Sequence, residues 1–213
     1  MPDPATRRSK NMALEKPATT VAPIHELMQR RWSTRAFDAS RPISRAELLS
    51  MLEAARWSPS CNGVEPWRFI VCDRTSDTAS FDRAFDCLSA GNKLWVKNAP
   101  VLILAVASDD TLSGGRPNRF GQYDTGMAMM SLCLQAVALG LAAHQMAGYD
   151  VEKARAAFDV PAACTPMAMV AVGKQADPGV LDEETKAKEL APRVRKALGE
   201  RFFEGGWGKP VRL

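Results

Sequence analysis

The sequence is poor in what metal and disulfide chemistry require. It has two histidines, His25 and His144, and five scattered cysteines without a C-x-x-C pair. Neither a zinc site nor a disulfide framework fits that supply. A reduced, cytoplasmic interior does. No apolar run reaches bilayer length: residues 127–146 come nearest, but Ser131, Gln135, Gly140, His144 and Gln145 interrupt them. That stretch reads as a buried helix followed by a strand, and no membrane partner is expected. The N-terminus has no hydrophobic signal-peptide core. The net charge is +4, from 28 basic and 24 acidic residues with no long basic run, which argues against a nucleic-acid partner. The glycine fingerprints GxGxxG and GxxxxGK[ST] are missing as well, so a nucleotide-like cofactor would have its phosphate held by arginines.

What is present is one core's worth of chain. Of 213 residues, 46% are hydrophobic and 24% charged, ordinary values for a single globular unit. Residues 1–22, with three prolines and little periodic hydrophobicity, read as a flexible tail. Residues 23–213 read as a single domain with an extended C-terminal arm. Ile24, Leu27 and Met28 recur at helical spacing. Ser44 and Glu47 form a capping-box pattern before the apolar face of Leu48, Leu49, Leu52 and Ala55, and Pro59 ends that helix.

Residues 68–72 read as a strand, and 100–107 (PVLILAVA) as a strand buried on both faces. Residues 76–89 predict a helix that Gly91 and Asn92 break, and 112–119 a loop. Residues 124–139 predict a helix buried on most sides and closed by Gly140. A strand over 141–146, a helix over 151–158 and a strand over 166–172 follow. Helices and strands mix without strict βαβ alternation, which predicts an α+β sheet flanked by helices.

Two blocks carry the chemistry. Residues 30–38 (RRWSTRAFD) set Arg30, Arg31 and Arg35 around Ser33 and Thr34, beside a short amphipathic segment. Guanidinium forks with hydroxyls suit a phosphate monoester. Residues 58–71 (SPSCNGVEPWRFIV) form a turn-rich loop running into a strand, with small polar groups able to edge a planar polar ring. Cys61 lies in this loop with no obvious activating base and reads as a small, half-buried filler. Pro66 and Trp67 read as core packing, Arg30 as a surface residue, and Asp124 as a structural carboxylate near the central helix.

In order and spacing these blocks resemble the nitroreductase-like flavoprotein family. Arg31, Trp32, Ser33 and Arg35 stand in its Arg-x-Ser-x-Arg/Lys signature, and Pro59, Ser60, Pro66 and Trp67 in its Pro-Ser-x-x-Asn-x-Gln-Pro-Trp loop. The resemblance implies an α+β sandwich with a mostly antiparallel central sheet, and an intertwined homodimer with FMN at the subunit interface. It implies that Arg31, Ser33 and Arg35 meet the phosphate, ribityl chain or pyrimidine edge, Trp32 contributing mainly backbone. Ser60 and Cys61 would lie near the dimethylbenzene side and reach the ring through backbone groups, and Asn62 and Gly63 are expected at the cofactor as well.

Asn92 would contact the pyrimidine edge or simply cap a helix. Ala147 and Gly148 would offer backbone amides to the reactive N5, and Arg193 and Arg195 would join Arg31 at the phosphate. Trp207 reads as an arm residue burying against the partner subunit. The loop departs from the family at two places: Gly63 stands where the family has Asn, with Asn62 one position earlier, and Glu65 stands where it has Gln.

The implied activity is oxidoreduction through FMN. NADH or NADPH would deliver hydride, and a nitroaromatic or quinone would accept the reducing equivalents in a ping-pong cycle. No protein acid, base or nucleophile is implied. The altered loop keeps open a same-fold enzyme with specialised redox chemistry and no nicotinamide, or a non-enzymatic FMN binder.

Overall fold

The apolar run becomes the middle of the sheet. In the computed structural model, which describes residues 14–212, all seven residues of Val101–Ala107 are buried. This strand, β2, pairs antiparallel with β1 (Trp67–Asp73) on one side and β4 (Thr165–Gly173) on the other. β3 (Ala142–Met146) completes the sheet along β4, in the order β1-β2-β4-β3, with every neighbour antiparallel.

Successive side chains leave a strand on opposite faces, and β2 supplies two cores. Val101, Ile103 and Ala105, with Val170 and Val172 of β4, pack against α2 (Arg45–Arg56) and α5 (Gly121–Ala138) through Leu48, Met51, Ala128, Leu132 and Ala136. Leu102, Leu104 and Val106, with Met169 and Ala171, pack on the other face. Their partners there are Phe81 of α3 (Thr78–Asp86), Trp95 and Val96 of α4 (Ala90–Val96) and Ala154 of α6 (Val151–Ala157). The result is a helix–sheet–helix sandwich, the α+β architecture expected from the sequence. No helix among the described residues is long and apolar enough to cross a membrane.

Local signals account for most boundaries. Ser44 Oγ accepts from Glu47 N while Glu47 reaches back to Ser44 N, so the capping box forms as read. Gly140 ends α5 with φ +66°, where a Cβ would be strained. Two readings need correction. The helix expected over 76–89 stops at Asp86, and Gly91 and Asn92 do not break it: they lie inside α4, whose N-cap is Ser89. The cause is tertiary. Ser89 N donates to Gly148 O and Leu88 bridges to Tyr149, which draws residues 87–89 out of helical geometry. The charged stretch after Gly173 holds a further helix, α7 (Glu183–Leu190), with Thr185 and Glu189 buried.

Residues 1–13 of the expected tail lie outside the described residues. Residues 14–18 are tied down: Gln175 Nε2 donates to Leu14 O at 2.8 Å and Ala18 N to Gln29 O at 2.9 Å.

Candidate functional site

The site is built around residues 31–36, which run without regular structure from α1 (Glu26–Arg30). Backbone outside helix and sheet must find other partners, and here a buried carboxylate supplies them. Glu189 of α7, fully buried, accepts from Thr34 Oγ1, from Arg35 N at 2.9 Å and from Ala36 N at 3.4 Å. The Arg35 guanidinium lies 3.9 Å from the same carboxylate. Thr34 O accepts from His144 Nδ1 at 2.8 Å, so that nitrogen carries the ring proton. His144 stacks on Trp95 with centroids 4.5 Å apart. Burial, and then the charges of Arg35 and Arg31, pull its pKa down to about 4. At neutral pH it is an uncharged imidazole.

Three guanidiniums gather beside this segment. Arg31 Nη1 donates to Ser33 Oγ at 3.4 Å. Arg193 braces the region by donating to the carbonyls of Lys16, Gln29 and Arg31. Arg193 Nη2 reaches the Arg31 carbonyl at 3.1 Å, and burial, followed by the charges of Arg31 and Arg195, pulls the Arg193 pKa below its ordinary value. Among the described residues none of Arg31, Arg193 and Arg195 pairs with a carboxylate. A cluster of cations without a counter-ion suits a polyanionic ligand group.

Next to it is a cleft of about 390 Å³ whose lining includes Arg35, Asn92, Trp95, His144, Gln145, Ala147, Gly148 and Lys188. Asn92 Nδ2 donates to Gly148 O at 2.9 Å, so its side chain ties α4 to the strand end and does not cap a helix. Neither the Ala147 nor the Gly148 N–H donates to a backbone acceptor among the described residues outside regular structure, and both residues line the cleft. Of the thirteen residues expected at the cofactor, Arg35, Asn92, Ala147 and Gly148 line it together. Arg31, Ser33, Arg193 and Arg195 form the flanking cationic group.

Trp32 lies elsewhere, in a second cavity of about 310 Å³ with Leu14, Arg30 and Lys174, and Lys16 Nζ sits 4.6 Å from its ring centroid. Ser60, Cys61, Asn62 and Gly63 do not line the cleft. They form a tight turn in which Asn62, Gly63 and Glu65 all have positive φ. Two of the donors here are committed: Glu65 N donates to Ser60 Oγ and Cys61 N to Asp124 Oδ2, both at 3.0 Å. Cys61 N–H is therefore not a free donor to a ligand. Asp124, 2% exposed at the start of α5, is the structural carboxylate the sequence suggested.

Sequence reasoning missed two residues here. His144 had a signal, a lone imidazole in a short strand (AAHQM) that otherwise holds two alanines, Gln145 and Met146. Glu189 had none, for it is one acid among several in a charged helix.

Residues 28–174 match the Nitroreductase family model, and the chain belongs to that family. It is similar to an uncharacterized 15.4 kDa protein in the ask 5'region of Mycolicibacterium smegmatis, 38% identical over 150 residues (68% of this chain, 99% of that protein). It is also similar to the putative NAD(P)H nitroreductase YdgI of Bacillus subtilis, 25% identical over 186 residues (72% and 89%). Among solved structures, an oxidoreductase containing FMN superposes with a TM-score of 0.84 at 33% identity, covering 92% of this chain and 98% of that one.

Proposed function

We propose that this chain is an FMN-dependent NAD(P)H oxidoreductase acting on nitroaromatic or quinone-type acceptors. The observation that carries the reading is the group Arg31, Arg193 and Arg195, none of which pairs with a carboxylate among the described residues, beside a cleft lined by Ala147 and Gly148. A phosphate dianion supplies the missing counter-charge, so the donor set fits FMN. When bound, FMN supplies the hydride chemistry. The chain's own residues bind and orient. Arg31, Arg195 and Ser33 hold the phosphate end, while Arg193 contributes charge and fixes the backbone carbonyls around it. Arg35 and Asn92 face the pyrimidine edge, and the Ala147 and Gly148 amides face N5.

A homodimer accounts for the separation of the 60–63 turn from the cleft, because that turn is then free to edge the ring bound by the partner subunit. Exposed Trp207 (94%) fits an arm that such a partner covers. Five unpaired cysteines support a cytoplasmic setting.

Purified protein should be yellow, or become so with added FMN. Anaerobic NADH or NADPH should then bleach it, and an acceptor screen with both nicotinamides should give turnover. A colourless protein that takes up no FMN sinks the reading. FMN binding without bleaching removes the nicotinamide step and leaves the specialised flavoenzyme or the simple FMN binder.

A further inference from the structure

The geometry points to Glu189 as a positioning residue whose buried charge offsets that of Arg35 and so sets the redox potential of a ring bound in the cleft. This rests on the FMN reading above. Glu189 is fully buried, and its Oε2 takes both the Arg35 N–H at 2.9 Å and the Arg35 guanidinium at 3.9 Å. The Arg35 side chain is 30% exposed and lines the cleft. An anion therefore lies behind the cation that faces the ligand, and a bound ring meets a pair of opposite charges in place of a bare guanidinium. At such distances inside protein, Coulomb terms between single charges are large enough to shift an equilibrium.

A purely structural role would need only the hydrogen bonds, and all but one survive loss of the charge: the long Ala36 N contact to Glu189 Oε1, at 3.4 Å, is lost, and Ala36 N keeps Thr34 Oγ1 as its acceptor. Thr34 Oγ1 lies 3.1 Å from Ala36 N and 3.5 Å from Ala36 O. In Glu189→Gln the new amide can donate to Thr34 Oγ1, whose own proton turns to Ala36 O, while the remaining side-chain oxygen keeps Arg35 N. The substitution removes the charge and that one long contact. Lys188 of the cleft wall and neighbouring Arg31 and Lys16 are unchanged by it, so a difference from wild type reports Glu189 itself.

The test is the midpoint potential of bound FMN, by equilibration with reference dyes, alongside dissociation constants for oxidised and reduced FMN. Wild type is compared with E189Q, R35Q and the double variant. Glu189→Gln leaves Arg35 unopposed beside an electron-rich reduced ring. Reduced FMN should gain about tenfold in affinity relative to oxidised FMN, a rise of about 30 mV for a two-electron couple. Arg35→Gln should lower the potential, and the double variant should return it to the wild-type value. Opposite signs with restoration are not what a packing defect produces.

An unchanged potential in E189Q, or a double variant that fails to return, overturns the inference while leaving the cofactor reading intact. If E189Q does not fold, R35Q and the double variant carry the test, the first below wild type and the second level with it. Wild-type protein that takes up no FMN sinks both readings.

Discussion

Asn92 Nδ2 and Ser89 N converge on Gly148 O, at 2.9 and 3.0 Å, and this double acceptor is why position 148 is glycine. A Cβ there would meet Asn92 Nδ2 at 2.6 Å and Ser89 Oγ at 3.0 Å. Gly148→Ala should push Asn92 off its carbonyl and tilt the two cleft amides. One hydrogen bond of this kind is worth about 1 kcal/mol, so FMN affinity should fall about fivefold. Quenching of FMN fluorescence on titration measures it, and wild-type affinity would remove Asn92 and Gly148 from the site.

Arg193 and Arg195 should separate into brace and clamp. Arg195 is exposed and has no ion pair among the described residues, so Arg195→Ala should leave stability within about 0.5 kcal/mol while weakening FMN and flattening its salt dependence. Arg193→Ala also strips a donor from three carbonyls and should destabilise by about 2 kcal/mol. Thermal melts of the apoprotein with FMN titrations at two salt concentrations decide this. Equal effects of both variants on stability would refute the distinction.

His144 gives a signed pH dependence. Its folded pKa, about 4, lies below the unfolded value of 6.5 because burial disfavours the cation. Between those values the unfolded chain binds the extra proton. The stabilisation is thus present above pH 6.5 and is lost as pH falls toward 4, amounting to about 3 kcal/mol over the full window. His144→Gln keeps a neutral donor for Thr34 O and should lose this slope. Urea unfolding at pH 7 and 4.5 compares the two, and parallel losses would exclude the histidine as the source.

Asp124 should matter through the ring-edge turn. Asp124→Ala leaves Cys61 N–H without its acceptor and should destabilise by about 1–3 kcal/mol. Asp124→Asn retains one oxygen and should do so less. Differential scanning calorimetry gives the order, and equal melting temperatures for Ala and wild type would show the turn holds without it.

Much of the fold was legible because it rests on local or periodic signals. The capping box at Ser44 and Glu47, the doubly buried run of β2 and the glycine stop at Gly140 are each contained in a few adjacent residues. The break at 87–89 was not, because the carbonyl that draws Ser89 away belongs to Gly148. The same holds for Asn92, which looked like a helix breaker or a cap and is a cross-link.

By itself the sequence determined the family, the layered sheet with its flanking helices, and the set of arginines able to meet a phosphate. Those follow from side-chain chemistry and short-range spacing. Only the tertiary structure decided that Arg193 braces three carbonyls, that Ser60–Gly63 stands apart from the cleft, and that Glu189 lies behind Arg35, 154 positions away in the sequence. Burial changes what a charge does: on an exposed helix face Glu189 would be one carboxylate among many, and enclosed beside residues 34–36 it orders the backbone that carries Arg35 into the cleft.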